Sequence, residues 1–257
     1  MSFAGCGGNG GPSAETRHQL QASLAKYEAY LQENAEKLTH WAGTIVLKVK
    51  EGSAGKAQSR FAAAQVPRGH IDPAAQQSDG SIDEGFLHLE KTFFEEERTA
   101  GTLSEAKQLR ADIEALQRQL EETKVGPAQI AAGARQVLDD VADSDLTGEA
   151  QPYAEGELSV VAAKIEGVGA AIAAVKPLLR EEDPELLTEV EASFDKALAE
   201  IGQYGILASA PEQTRPQEPG IAFIVFDGIG QGEINELIQA IETLAEQLVQ
   251  AESKLDG

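Results

Sequence analysis

Two short runs in this chain place an imidazole close to a carboxylate: His70-x-Asp72 and His88-x-Glu90. Imidazole nitrogen suits transition metals and carboxylate oxygen suits harder ions such as ferric iron, so a mixed set of this kind fits iron or zinc. The spacing also argues the other way. Residues two apart point away from each other on a straight helix, and the competing reading of either histidine is a solvated surface side chain. Asp79 and Asp83 are further acids between the two runs. Glu95-Glu96-Glu97 reads as a solvated helix face, and Glu181-Glu182-Asp183 as a loop that favours the helix start after it. Catalytic machinery is not legible. The chain has no His-Glu-x-x-His pair to hold zinc and a base-activated water, and no His-x-x-Glu. Gly228, Gly230 and Gly232 precede a helical tail rather than opening a nucleotide-binding fold, and read as a turn. We therefore read the chain as non-enzymatic.

The elements that must position these residues are helices. Leu20, Leu24, Tyr27, Leu31, Leu38, Trp41 and Ile45 recur by three and four, the mark of an amphipathic helix. Ser13 is placed to cap it, and Trp41 is expected in the core. Gly52 and Ser53 break the pattern. A second, weaker helix is expected over Gly55–Val66, ended by Pro67 and Gly69. A loop from Pro73 to Glu84 then leads to a helix starting near Gly85, and Gly101 separates that from the stripe Leu103, Leu109, Ile113, Leu116 and Leu120. Gly126 and Pro127 punctuate the next start. Further stripes run from Ile130 to Val141, from Leu158 to Leu179, from Leu187 to Ile201 after Pro184, and from Ile234 to Leu248. Residues 209–220 hold three prolines and read as a loop. Ile221–Phe226 has strand propensity but no partner strand, so it reads as a packed extended segment. An all-α antiparallel bundle follows.

A chain of 257 residues can bury a sizeable core. Its 43 Asp and Glu against 21 Lys and Arg give a formal net charge of -22, which repels phosphate backbones and anionic membrane surfaces. Nucleic acid is thereby excluded as a partner, leaving cations, basic proteins or plain solubility as the meaning of the charge. No run of about eighteen apolar residues suggests a membrane-spanning helix. A single cysteine, Cys6, excludes internal disulfides and zinc ribbons. Phe3-Ala4-Gly5-Cys6 resembles the end of a bacterial lipoprotein signal, with Cys6 as the lipidated residue and Gly7–Ser13 as a flexible tether. The alternative is an unstructured terminus. We divide the chain into a tether over 1–13 and a helical domain over 14–257.

The stretch Gly126–Leu179 reads turn, helix, turn, helix, and contains IAAGARQVLDDV, then TGE, a tyrosine and a long helix ending in KPLL. In this it resembles the imelysin-like family, the group containing the EfeO and EfeM components of bacterial iron uptake. Tyr27–Pro73, the run GFLHLEK at Gly85–Lys91 and FDGIGQGEINELIQAIETLAEQL near the end extend the resemblance over most of the chain. It implies two four-helix bundles packed together in one domain, here without the cupredoxin domain some members carry. It also implies metal ligands. Asp72 falls on the second acid of the family's Tyr-Glu-x-Ile-Glu-Pro segment, and Glu90 on the glutamate of its Gly-Phe-His-x-x-Glu segment. Three departures stand out: Leu87 occupies the family's histidine position with His88 beside it, Gly69 stands where the first acid belongs, and Arg68 replaces the tyrosine. His70 and His88 are the candidate compensating ligands, and Asp83 a substitute acid.

The function so implied is an extracytoplasmic metal-binding component of an EfeUOB-type uptake system, periplasmic or at the cell surface and held to the membrane only by its lipid. Iron or zinc would be bound by Asp72, Glu90, His88, His70 and Asp83. An iron permease and a haem peroxidase of the same system would be its partners. The alternative is the same fold used as an interaction or polymer-binding protein, with a degenerate metal site.

Overall fold

Ser13 starts the first helix as expected: its hydroxyl oxygen accepts the backbone N–H of Thr16 at 3.1 Å, and Glu15 sits in the positive first turn. The computed structural model describes residues 11–76, 81–146, 157–204 and 229–256. Cys6, Asp79, the segment 209–220 and Ile221–Phe226 lie outside the described residues. Helix α1 (Ala14–Lys50) runs for 37 residues and ends before Gly52, whose φ of +67° is the left-handed turn that favours glycine. Its buried line is Tyr27, Leu31, Leu38, Ala42, Ile45 and Val49. Trp41 is only partly buried, correcting the expectation of a core residue. Ala42 takes the seam position, so Trp41 flanks the seam with its ring under the Arg60 guanidinium, 5.6 Å from the centroid.

Helix α2 (Ala54–Ala75) does not stop at Pro67; it continues through Pro67 and Pro73, both buried. Each proline removes one helical N–H, at a cost of about 3 kcal/mol. Packing of α2 against α1, α5 and α6 outweighs that local cost. Helix α3 (Ser81–Glu90) likewise starts before Gly85, inside the span expected to be a loop, and a π turn (Lys91–Glu95) follows it. The remaining elements are α4 (Leu103–Glu122), α5 (Pro127–Asp140) with a second π turn (Val141–Asp145), α6 (Glu157–Glu182), α7 (Pro184–Gly202) and α8 (Gln231–Leu255). Two of their starts fall where the sequence suggests. Pro127 and Pro184 are first residues of their helices, and Asp183 accepts the N–H of Leu186 at 3.0 Å.

Helices α1 to α4 pack on one another, as do α5 to α8, and α1 and α2 meet α5 and α6 between the two groups. The architecture is all-α, with no strand among the described residues. One apolar core runs through both bundles. By length and composition alone α6 would pass for a membrane span, contrary to the reading that no stretch would. Its apolarity is explained by position, because it packs against α1, α2, α5, α7 and α8 and most of it is buried.

Candidate functional site

Arg68, Asp72 and Gln76 recur every four residues and so form one stripe along α2. That stripe faces a cleft of about 490 Å³ between the bundles. From α3 come Asp83, Glu84, Leu87 and Glu90; from the end of α5 and its π turn come Asp140, Ser144 and Asp145; from α6 come Val160 and Lys164. Six carboxylates thus line the cleft against two cations. Both π turns adjoin it, since Glu90 immediately precedes one and Asp145 ends the other. Such wide turns re-aim side chains out of the regular helical register and recur at functional sites.

The two cations are committed. Lys164, buried, donates to Asp145 Oδ2 at 2.7 Å and lies 3.4 Å from Asp72 Oδ2. Burial pulls its pKa down, but the Asp72 and Asp145 carboxylates more than offset this and hold it above the ordinary lysine value, so the ammonium stays charged. Arg68 donates to Asp83 Oδ1 at 2.6 Å and to Gln65 Oε1 at 3.0 Å, with its guanidinium 4.7 Å from the centroid of Phe86. The Asp72 carboxyl is pushed up by burial, with Lys164 and Arg68 pulling the other way and Asp83 and Asp145 adding to the rise. Asp140 is also raised, chiefly by loss of solvent, and its carboxylate accepts a hydrogen bond from Gln76 at 3.5 Å.

The structure separates the two histidines from the acids beside them in sequence. His70 is not among the residues that line the cleft: Nδ1 is 2.9 Å from Asn34 Oδ1, Nε2 is 2.8 Å from Glu166 Oε2, and the ring centroid is 5.8 Å from that of Tyr30. His88 is exposed whereas Glu90 is buried, as the two-residue spacing requires. Leu87 is 47% exposed on the rim of the cleft. Asp72, Asp83 and Glu90 do share the cleft, but among the described residues no three His, Cys, Asp or Glu side chains converge closely enough to coordinate an ion.

Gly69 shows why the first acid of the segment is missing. A Cβ there would lie 3.0 Å from the Cβ of Ala163 and 3.1 Å from the backbone nitrogen of Lys164, so any side chain larger than hydrogen would need α6 to give by a few tenths of an ångström. Sequence reasoning missed Lys164, Asp140 and Asp145. The available signal was Lys164 itself, one of two lysines inside the apolar run of α6, since a lysine in such a place needs carboxylate partners.

Comparison with known proteins gives the family. The family model described as Peptidase_M75: Imelysin matches residues 68–251, a span that contains every described residue of the cleft. Proteins named "Iron uptake system component EfeO" from Escherichia coli (strain K12), Shigella flexneri and Escherichia coli O157:H7 are each 27% identical over 249 residues. The match covers 90% of this chain and 63% of each relative, so the chain spans less than two thirds of the length of these relatives.

Proposed function

Because this chain belongs to the imelysin family, we propose that it is an extracytoplasmic, non-enzymatic cation carrier for iron uptake, with the cleft between its bundles as the cargo site. The observation that carries this reading is the six-carboxylate cleft, which holds Asp72 and Glu90, the two acids the family resemblance assigns as ligands. Excess carboxylate in a cleft with low-dielectric walls concentrates cations there. Oxygen donors suit ferric iron, and with no histidine drawn in, water would complete the shell. The EfeO names of the relatives support iron as cargo. An iron permease and a haem peroxidase are the corresponding partners. Lipidation at Cys6 would hold the protein at the membrane, and mass spectrometry of native protein would find the lipid there.

Calorimetric titration with ferric citrate and with zinc tests the proposal. The parent protein should bind, and Glu90→Ala or Asp72→Asn should weaken binding about tenfold or more, by analogy with the loss of a supporting ligand. Binding that ignores both substitutions would place the site elsewhere, and a parent that binds neither metal would remove the carrier reading.

One observation favours a second reading. With Lys164 already between Asp72 and Asp145 and Arg68 on Asp83, three of the six acids are engaged internally and two of their three charges are offset. The fold would then serve as an interaction or polymer-binding scaffold with a degenerate metal site. Genes for an iron permease and a haem peroxidase beside its own would favour the carrier, and their absence the scaffold.

A further inference from the structure

Lys164 is a cation built into an acidic cleft, and its anchors come from both halves of the molecule. The residue rises from α6 and Asp145 from the π turn after α5, both in the second bundle, whereas Asp72 comes from α2 in the first. The ammonium therefore links the bundles at the floor of the cleft. Asp140 belongs to the same charge group, being coupled to Lys164, Asp72 and Asp145. Oxygen donors from separate elements around one buried positive centre are the surroundings a hard metal ion takes. Here that centre is a point charge on a four-carbon stem.

From this we propose that Lys164 is the specificity-determining residue of the cleft: an internal cation that holds the place of a metal ion between Asp72 and Asp145 and sets which cations the cleft admits. The physiological meaning rests on the carrier reading; the charge argument does not. The contact distances show the two acids held wider than a metal ion would hold them. Asp145 and Asp72 stand off the nitrogen at 2.7 and 3.4 Å, while hard metal ions draw carboxylate oxygens in to about 2.0–2.6 Å. A divalent ion entering the floor must first displace the ammonium, and until it does it meets a like charge. A shallower metal, held nearer Glu90, would still feel that charge across the cleft.

The experiment compares the parent with Lys164→Met, Lys164→Gln and Lys164→Arg, each titrated with Mn²⁺ by calorimetry after circular dichroism confirms helix. A unit charge at 4 Å in an effective dielectric near 20 corresponds to roughly a thousandfold in affinity. Allowing for rearrangement of the freed carboxylates, the two neutral variants should bind Mn²⁺ at least about a hundredfold more tightly than the parent. Lys164→Arg should stay like the parent. Their melting temperatures should also climb with Mn²⁺ more steeply than the parent's, because the ion binds only the folded state. If a neutral variant is unfolded without metal, recovery of helix on adding Mn²⁺ supports the proposal and no recovery overturns it. Equal Mn²⁺ affinity in the parent and the neutral variants overturns it too. A parent that binds neither ferric iron nor zinc removes the carrier reading but leaves the Mn²⁺ comparison standing, so the two failures are distinguishable.

Discussion

Asp145→Asn removes one negative charge from the floor of the cleft and changes almost nothing in shape. The carboxylate is 2.7 Å from Lys164 Nζ, and both residues are buried. With an effective dielectric near 20, that attraction is worth about 6 kcal/mol. Part of it is returned, because Asp72 also faces the ammonium, at 3.4 Å, and repels Asp145. The two oxygens are no farther apart than these contacts laid end to end, about 6 Å, so neutralising Asp145 relieves at least about 3 kcal/mol of repulsion. The net loss is then at most about 3 kcal/mol, near the lower end of what breaking a buried ion pair costs. For a chain of this size the fall in melting temperature is then at most about 10 °C, read by circular dichroism. Asp139→Asn is the control. Its carboxylate pairs with Arg135 at 2.5 Å on the surface, where the side chains are 31% and 44% exposed, and such a pair contributes about 0–1 kcal/mol. Added salt should shrink the effect at Asp139 more than that at Asp145. A fall for Asp145→Asn well beyond about 10 °C would refute the reasoning, because it would mean that relief of the Asp72 repulsion does not offset the lost contact.

Three other outcomes follow from the same geometry. Gly167→Ala would place a Cβ 2.7 Å from the His70 carbonyl oxygen and 3.0 Å from that of Gly69. Forcing α2 and α6 apart should cost about 1–3 kcal/mol in urea denaturation, whereas Gly232→Ala, with nothing within 4 Å of its Cβ, should not destabilise; equal midpoints would contradict the close approach. Asp140 is held above the ordinary carboxyl value of 3.8 in the folded protein. Its protonated form therefore favours folding, a contribution complete below that value and lost as pH rises through the folded-state pKa. Asp140→Asn should flatten the fall in stability over that window, and an unchanged urea midpoint profile from pH 3 to pH 7 would count against it. Leu87→His should cost little stability, since Leu87 is 47% exposed, and should restore an i, i+3 imidazole to Glu90. Calorimetry should then register tighter zinc binding; no gain would mean that Glu90 is not a ligand.

The helices themselves were legible in the sequence because a helix is a local object. The three-and-four spacing from Leu20 to Ile45, the cap at Ser13 and the prolines at 127 and 184 each act within one or two turns. Reading failed where a tertiary term exceeded the local one. Pro67 and Pro73 are stops by propensity, yet α2 passes through both because its flanks are packed against three other helices. Trp41 fits the apolar period, but Ala42 holds the seam, and only the crossing of the helices decides which of two adjacent stripe positions faces inward. The site divides in the same way. Asp72 and Glu90 could be nominated through the family resemblance, and His70 and His88 were nominated beside them although the i, i+2 spacing points each histidine away from its neighbouring acid. That Lys164, Asp140 and Asp145 join Asp72, from positions far apart along the chain, depends on how the two bundles dock. Gly69 and Gly167 permit that close contact between α2 and α6. Electrostatic interaction depends on distance in space, and a one-dimensional sequence does not contain that distance.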